Sequence, residues 1–563
     1  MRVFREDVFV MGSAALALLL GACSDSTGPG PSPTPLGCAG VTPTQLAPGG
    51  HLEVDPTAQG GCVRLPAAGE NGAEHLLVAL SATGQVTASG LQAPYDFSGN
   101  EGGLTASAGA PTQALQIPPP SPAQRFHEML RGRARDLAQQ GGGPMRSVGR
   151  GPSFAITPPP VGSQRTFQVC GDRTCSSFVT VSATLDHVGP HGLLYLDDAA
   201  PANGYTAADL GRLGSLFDNF MYPIDTTSFG RETDLDVNGA VIILLSPAIN
   251  RLSPNCNASG SVILGFFFPD DLIPGSPGSN DGEIFYGLVP DPGNPSCSID
   301  RNFALHGMGP TFLHEFQHMI SFGRHVLLAQ GQGEDNWLDE GLSRLAEELG
   351  GREIPDSFCS PDTCLSTYAL GDVQNAFEYL QKDTLEASPL IEPGNVDGTL
   401  PENGANWLFV RWLADHFASD TIRGTSLTRA LDGADSPTGI ALTGSANVRA
   451  ATNVDFSSLV GEWQLANFLT SVSGFTEPTG RLHYRSWDFL SVFTATFGDF
   501  PLQPDTLTSQ PYTHAGVLQP GSGRHLLVIQ APMSPEVDVM LTSPDGGEVS
   551  ATVVPRIAVA RVR

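Results

Sequence analysis

Lysine is almost missing from this sequence. Lys382 is the single lysine among 563 residues, so arginine supplies nearly all of the 29 basic residues, against 58 acidic ones. Charged residues make up 15% of the chain and the formal net charge is −29, whereas about a quarter of an average soluble domain is charged. So acidic a chain is not expected to bind nucleic acid. The acidic surface is interpreted as a contribution to solubility and does not indicate a substrate.

Long apolar segments are also scarce, and the clearest one, residues 8–20, is too short for a comfortable membrane span. It ends in "LGAC" at 20–23 and a Ser/Gly/Pro-rich stretch follows, which resembles a bacterial lipoprotein signal peptide. We therefore predict a signal peptide over 1–22, a lipid on Cys23 as the only membrane attachment, and a flexible linker over 23–37. The expected location is the bacterial cell envelope, outside the cytoplasm. The outer membrane is one candidate location. The alternative is an ordinary secretory signal and a secreted protein.

The nine cysteines agree with export from the cytoplasm. If Cys23 carries lipid, eight remain, and they fall into neighbouring pairs at 38/62, 170/175, 256/297 and 359/364. An oxidising compartment would join such pairs as disulfides. The alternative is that "CGDRTC" or "CSPDTC" binds a metal, but structural zinc sites usually need two such pairs close together. The pattern therefore favours four disulfides.

Changes of pattern along the chain predict an α+β protein. Short alternating runs over 38–115 and 481–563 predict two small antiparallel β modules. Residues 116–165 are rich in Pro and Gly and hold an arginine-rich helix, "QRFHEMLRGRARDLAQQ". This segment is predicted to be a linker or a processed pro-segment, with its arginines on a solvated helix face. Residues 166–480 form the main domain, in which strands come first and helices follow.

The stretch "HEFQH" at 314–318 carries the clearest chemistry. On a helix, His314 and His318 lie four residues apart on one face and can bind one ion. Glu315 lies about 100 degrees round the helix, where it can take a proton from water beside a zinc ion. The alternative is a buried helix with two hydrogen-bonded histidines. A third protein ligand distinguishes the two.

A third histidine at the spacing H-E-x-x-H-x-x-G-x-x-H is excluded, because Ser321 and Arg324 occupy the required glycine and histidine positions. His325 comes one residue late and is expected at the surface. The amphipathic stretch "EDNWLDEGLSRLAEEL" over 334–349 offers Glu340 in the first turn of a second helix, with Asp335 or Asn336 as its cap. Glu347 or Glu348 either supports a ligand histidine or is a solvated charge.

Together, "HEFQH" and "WLDEGLSRLAEEL" resemble the gluzincin metallopeptidases, and most closely the bacterial hyicolysin family. The resemblance covers about 185–475. It implies a zincin-type catalytic domain and one catalytic Zn²⁺ held by His314, His318 and Glu340, with Glu315 as the general base. It also implies that a strand like "GEIFYG" edges the cleft and pairs with an extended peptide. Asp339 replaces the usual asparagine of that family.

The expected activity is zinc-dependent endopeptidase cleavage of extracellular proteins, with a protein or peptide as the substrate. The alternative is a catalytically inactive, surface-anchored binding or adhesion lipoprotein. Three residues are candidates for stabilising the oxyanion: Tyr368, Tyr379 and His416. The sequence does not indicate an oligomeric state.

A possible calcium ligand set occurs in "DLDVNG" at 234–239. Its position twelve would be Leu245 rather than the glutamate of a helix–loop–helix site. A turn before the strand "AVIILLS" is the preferred interpretation, with calcium as the weaker alternative.

Overall fold

The computed structural model describes residues 36–101, 120–141, 158–396 and 398–563. The predicted signal peptide, the lipid site Cys23 and most of the predicted linker lie outside these residues. None of the described helices is both long and apolar enough to cross a bilayer.

The strands belong to three sheets and divide into a terminal group and a central group. In chain order they are β1 (His51–Val54), β2 (Cys62–Leu65), β3 (Ala73–Ser81), β4 (Ala93–Glu101), β5 (Gln164–Cys170), β6 (Phe178–Val188), β7 (Gly192–Asp197), β8 (Val241–Leu245), β9 (Gly265–Phe267), β10 (Ile284–Gly287), β11 (Asp505–Leu507), β12 (Tyr512–Leu518), β13 (Gly523–Gln530), β14 (Val537–Thr542) and β15 (Pro555–Arg561).

Helices fill most of the chain between β10 and β11. In chain order the α-helices are α1 (Pro122–Gln139), α2 (Ala207–Leu216), α3 (Tyr222–Ser228), α4 (Pro247–Asn250), α5 (Cys256–Ser259), α6 (Arg301–Phe322), α7 (Asn336–Glu353), α8 (Cys364–Tyr379), α9 (Lys382–Ala387), α10 (Leu400–Phe417), α11 (Thr425–Leu431), α12 (Gly444–Thr452), α13 (Phe456–Leu469) and α14 (Phe489–Phe497). The α+β class predicted from the sequence is confirmed.

The two predicted terminal β modules are in fact one β-sandwich. One sheet has the order β1-β15-β3-β13-β11 and the other β12-β4-β14-β2, so both contain strands from each end of the chain. β3 pairs antiparallel with β13, Leu77 lying opposite Leu526. Because apolar side chains from both sheets pack into one buried cluster, neither terminal segment has a separate core. α14 and the turns around it connect this sandwich to the helical region.

The central sheet has the order β5-β6-β7-β8-β10-β9. β7, β8 and β10 run parallel, whereas β9 is an antiparallel strand at the edge. The expectation that "GEIFYG" edges the cleft is therefore wrong by one strand. That segment forms β10, the second strand from the edge, and "GFF" at 265–267 forms the edge strand itself. All four residues of β10 are buried.

Helix α6 lies on the central sheet, where the Phe312 ring stands on edge against Phe285 at 4.1 Å between ring centres. Helices α7, α8 and α10 pack behind α6 into one continuous apolar core. Thr206 caps the start of α2 and forms a capping box with Asp209. Four disulfides join the predicted cysteine pairs 38/62, 170/175, 256/297 and 359/364.

Candidate metal centre

Two helices bring the candidate metal ligands together. Asp300 caps α6, accepting a hydrogen bond from the backbone N–H of Phe303 at 2.9 Å, and α6 then carries His314 and His318 on one face. Helix α7 starts after Asp335, as the sequence predicts, and presents Glu340 in its first turns. Its packing against α6 turns Glu340 toward the histidines, and Glu340 is only 3% exposed.

The three side chains form a tight cluster. Their ligand atoms all lie within 4.8 Å of one another. The Nε2 atoms of His314 and His318 are 3.1 Å apart, and the Glu340 carboxylate lies 3.5 Å from the first and 3.3 Å from the second. Zinc bonds of about 2.0–2.2 Å at tetrahedral angles place ligand atoms about 3.4 Å apart. The cluster therefore has the donor types and the spacing that zinc requires.

The outer nitrogen of each histidine is held by a carboxylate of α7. His314 Nδ1 lies 2.7 Å from Glu347, and His318 Nδ1 lies 2.8 Å from Asp339. Such contacts fix the ring orientation and leave Nε2 facing the cluster. Of the two glutamates considered from the sequence, Glu347 makes this contact. Glu348 points elsewhere, accepting a hydrogen bond from Trp407 Nε1.

Burial and neighbouring charges shift the protonation of these groups in opposite directions. Burial lowers the pKa of His314 to about 3, so this ring is neutral at pH 7. Burial opposes the charged form of His318 as well, but the Asp339 and Glu340 carboxylates outweigh it and raise the pKa to about 9. Burial also raises the pKa of Glu347 to about 8. A neutral His314 can offer a lone pair to a metal, whereas His318 must first lose a proton.

Glu315 lines the same cavity as His314 and Glu340 and also meets helix α1. Arg131 donates a hydrogen bond to its Oε2 at 2.9 Å, and the backbone N–H of Phe267 in β9 donates to the same oxygen at 3.0 Å. His127 Nδ1 lies 3.2 Å from Oε1. Burial alone would raise the pKa of Glu315, but the Arg131 and His127 charges outweigh it and hold the pKa below its ordinary value.

The expectation that the α1 arginines lie on a solvated face is therefore wrong. Arg131 is 4% exposed. Arg133 pairs with Asp270, and Arg135 donates to Asn336 at 2.6 Å. Because their partners lie more than a hundred residues away in sequence, the local pattern of α1 does not identify these partners.

A cavity of about 220 Å³ opens beside the cluster, lined by residues of α1, α6, α7 and α10 that include Thr311, Arg344 and Asn403. The three oxyanion candidates point elsewhere. Tyr368 lies against Gly309 and Gly350, Tyr379 stacks on Trp463, and His416 contacts the His483 carbonyl at 2.8 Å. Among the described residues, none of these three lines the cavity.

His325 is not at the surface as expected. It is fully buried, and its Nε2 lies 3.8 Å from Glu334 and 3.9 Å from Asp432. A short π-helical stretch, Gly323–Leu328, continues α6 and turns His325 into the interior. This position agrees with the exclusion of His325 as a third histidine ligand.

The residues of "DLDVNG" form a hydrogen-bonded turn before β8, as the preferred interpretation has it. Asp234 accepts from the Gly239 N–H and Asp236 from the Asn238 N–H. Asp234, Asp236 and Glu283 do come within 4.8 Å of one another. The buried Glu283 already accepts hydrogen bonds from Thr233 and Leu235. Calcium there stays a prediction.

Sequence reasoning missed the supporting role of Asp339 and the contacts of His127 and Arg131. One signal was available: residues 127 and 131 have the same i, i+4 spacing as residues 314 and 318, so they share one face of α1. From the sequence, Asp339 is only a replacement outside the ligand set.

A metalloprotease is similar to part of this chain. Neutral metalloprotease ShpI of Staphylococcus hyicus is 30% identical over 187 residues, which is 33% of this chain and 40% of that protein. The chain therefore matches less than half of the length of this relative. No family model matches the chain.

Proposed function

We propose that this protein is a zinc-dependent endopeptidase of the gluzincin type, with a zincin-type catalytic domain that resembles the hyicolysin family. The observation that carries the proposal is the cluster of His314, His318 and Glu340, with Glu315 lining the same cavity. The similarity to a neutral metalloprotease supports the same class of activity. The substrate class is a protein or peptide outside the cytoplasm.

Metal binding and proton transfer are assigned to different residues. His314, His318 and Glu340 would hold the ion, while Asp339 and Glu347 orient the two imidazoles. Zinc bound there would supply a Lewis acid that polarises the scissile carbonyl and lowers the pKa of water. Glu315 takes the proton from the attacking water and passes it to the leaving amine. Arg344 lines the cavity with a fixed positive charge, where it is a candidate for stabilising the oxyanion.

Two variants test the assigned roles side by side. Glu340→Ala removes one of three ligands and is expected to weaken zinc binding. Glu315→Gln keeps the shape of the side chain and is expected to retain zinc while losing peptide cleavage. Zinc content by elemental analysis and cleavage of a fluorogenic peptide library separate the two effects. The assignment is wrong if Glu315→Gln loses the metal while Glu340→Ala keeps it and stays active.

The ligand histidines have their own control. Replacing both His314 and His318 by alanine is expected to abolish zinc binding, because only one ligand carboxylate remains. Full zinc occupancy in that double variant would contradict the proposed site.

We further propose a lipid anchor on Cys23 and a location in the bacterial cell envelope. Mass spectrometry of the mature N-terminus tests this directly. An acylated Cys23 as the first residue is expected, and an unmodified peptide running through Cys23 would refute the anchor.

A further inference from the structure

Helix α1 lies across the candidate active site with one face against it. The side chains that contact the body of the protein recur every three or four residues, the spacing of one helix face. They begin at Ala123 and continue through Phe126, His127, Arg131 and Arg135. Over 18 residues an α-helix is about 27 Å long.

One part of this face covers the edge strand. The Ala123 N–H donates to Ser261 Oγ at 3.2 Å, just before β9. The Phe126 ring meets Phe266 of β9 edge-on at 5.0 Å, and the Arg133 guanidinium lies over the Phe268 ring. An open edge strand is where an extended peptide would pair with the sheet. Helix α1 occupies that side of the cleft.

The middle of the face closes on the proposed base. Arg131 and His127 approach the two carboxylate oxygens of Glu315, one each. Arg131 also lies 3.8 Å from Glu340, a proposed zinc ligand. A general base needs a free oxygen to accept a proton from water, and an arginine keeps its charge at every physiological pH. While α1 is seated, Oε2 accepts hydrogen bonds from Arg131 and from the Phe267 N–H, and the His127 ring lies 3.2 Å from Oε1, on the side from which a water would approach.

We propose that α1 is an inhibitor built into this chain, and that Arg131 blocks Glu315 until the helix is displaced. This inference rests on the proposed function, since it concerns the regulation of the same site. It assigns an inhibitory function to the linker or pro-segment predicted over 116–165. The helix excludes peptide from β9, and Arg131 adds a positive charge beside the zinc ligands.

The first test uses the full-length, zinc-loaded protein with Arg131→Ala, and Arg125→Ala as the matched control. Arg125 is on the same helix, but it is exposed, and its side chain donates to the Pro120 carbonyl of its own segment. Arg131→Ala is expected to raise the cleavage rate of a fluorogenic peptide library at least tenfold, whereas Arg125→Ala leaves it unchanged. Arg131→Gln, which keeps more of the side chain, is also expected to raise the cleavage rate.

Zinc affinity gives a readout independent of cleavage. Removing a positive charge close to Glu340 is expected to tighten zinc binding at least tenfold, measured by competition with a chelator. Arg125→Ala is expected to match the wild type. An unchanged zinc affinity in both Arg131 variants would show that Arg131 does not act on the site.

The second test separates the helix from the body. A recognition sequence for a site-specific protease is inserted before Pro120 and another after Gly141, so that the folded protein can be cut on both sides of α1. Cutting and removing the helix is expected to raise peptide cleavage. Adding back a synthetic peptide of residues 120–141 is expected to inhibit, and the same peptide with Arg131→Ala is expected to inhibit at least tenfold less.

The outcomes distinguish this inference from the proposed function. If the Arg131 variants and the cut protein cleave more slowly than the wild type, Arg131 assists catalysis and the inhibitory role is overturned. If no form cleaves any peptide, the endopeptidase proposal fails. In that case tighter zinc binding by the Arg131 variants would still support the blocking contact, and unchanged zinc binding would overturn it.

Discussion

Glu348 and Glu315 are both fully buried glutamates on neighbouring helices, yet their surroundings differ. Glu348 on α7 accepts hydrogen bonds from Arg352, Trp407 and Trp487, at 2.7, 3.0 and 2.8 Å. These partners belong to the helices and turns of the core itself.

The partners of Glu315 come from a separate piece of chain. Arg131 and His127 belong to α1, and the residues on either side of that helix, 102–119 and 142–157, lie outside the described structure. The remaining donor is the Phe267 N–H of the edge strand. An arginine bound to a buried glutamate thus has two different structural roles in this protein. Around Glu348 the arginine joins helices of the core, and at Glu315 it joins a distinct segment to the proposed general base.

Replacing Glu348 is expected to give the largest loss of stability. Glu348→Ala leaves the indole N–H groups of Trp407 and Trp487 without their acceptor and removes a carboxylate beside Arg411. Breaking a buried pair in this way costs about 3–5 kcal/mol. Urea unfolding of the full chain measures it. If Glu348→Ala has the same free energy of unfolding as the wild type, Glu348 does not stabilise the core and the comparison fails.

Replacing Glu315 is expected to act on catalysis far more than on stability. Glu315→Gln should retain zinc and lower kcat at least about 100-fold, the scale of a positioned acid–base group. The rate is measured in whichever form, full-length or cut on both sides of α1, cleaves peptide faster. Glu348→Gln is the matched control, and a comparable loss of kcat at equal folding in that control would contradict the distinction.

The carboxylates behind the histidines should have an intermediate effect. Asp339→Ala removes the partner of His318 Nδ1, and losing such a contact typically costs 10–100-fold in metal affinity, or roughly 1.4–2.7 kcal/mol. Asp339→Asn keeps an acceptor and should lose less. Chelator competition measures both variants. Equal zinc affinity in Asp339→Ala and the wild type would remove Asp339 from the site.

The smallest effect is expected at the rim of the Glu348 network. Arg352 is partly exposed, pairs with Glu348 four residues away and stacks over Trp487 at 4.7 Å. Arg352→Ala should cost about 1 kcal/mol of unfolding free energy, because such pairs are screened by solvent. A loss of unfolding free energy as large as that of Glu348→Ala would mean that Arg352 is essential to the hydrogen-bond network around Glu348.

The sequence predicted the parts of the site that depend on local spacing. The i, i+4 pair His314 and His318 follows from helix geometry alone, and Glu340 from an amphipathic helix together with a family resemblance. Contacts between distant segments were not predictable in this way. A helix with several arginines has the same local pattern whether it is solvated or closed on Glu315, which lies 184 positions from Arg131.

The same limit explains the β-sandwich. "EHLLVAL" and "RHLLVIQ" are similar runs at opposite ends of the sequence, and each alone predicts only a strand. They are in fact paired neighbours, β3 and β13. Periodicity tells which residues face inward, but it does not tell which strand lies alongside.

The joining of both chain ends in one sandwich has a consequence for the fate of the protein after cleavage. Two cuts flanking α1 would divide the chain into an N-terminal fragment, the helix and a C-terminal fragment. The disulfide Cys38–Cys62 lies wholly within the first fragment, so no described disulfide ties it to the third. Strand pairing does so instead, because β3 lies between β13 and β15 and β4 between β12 and β14. If Cys23 carries the proposed lipid, the excised helix would leave while the nicked protein stayed tethered to its membrane.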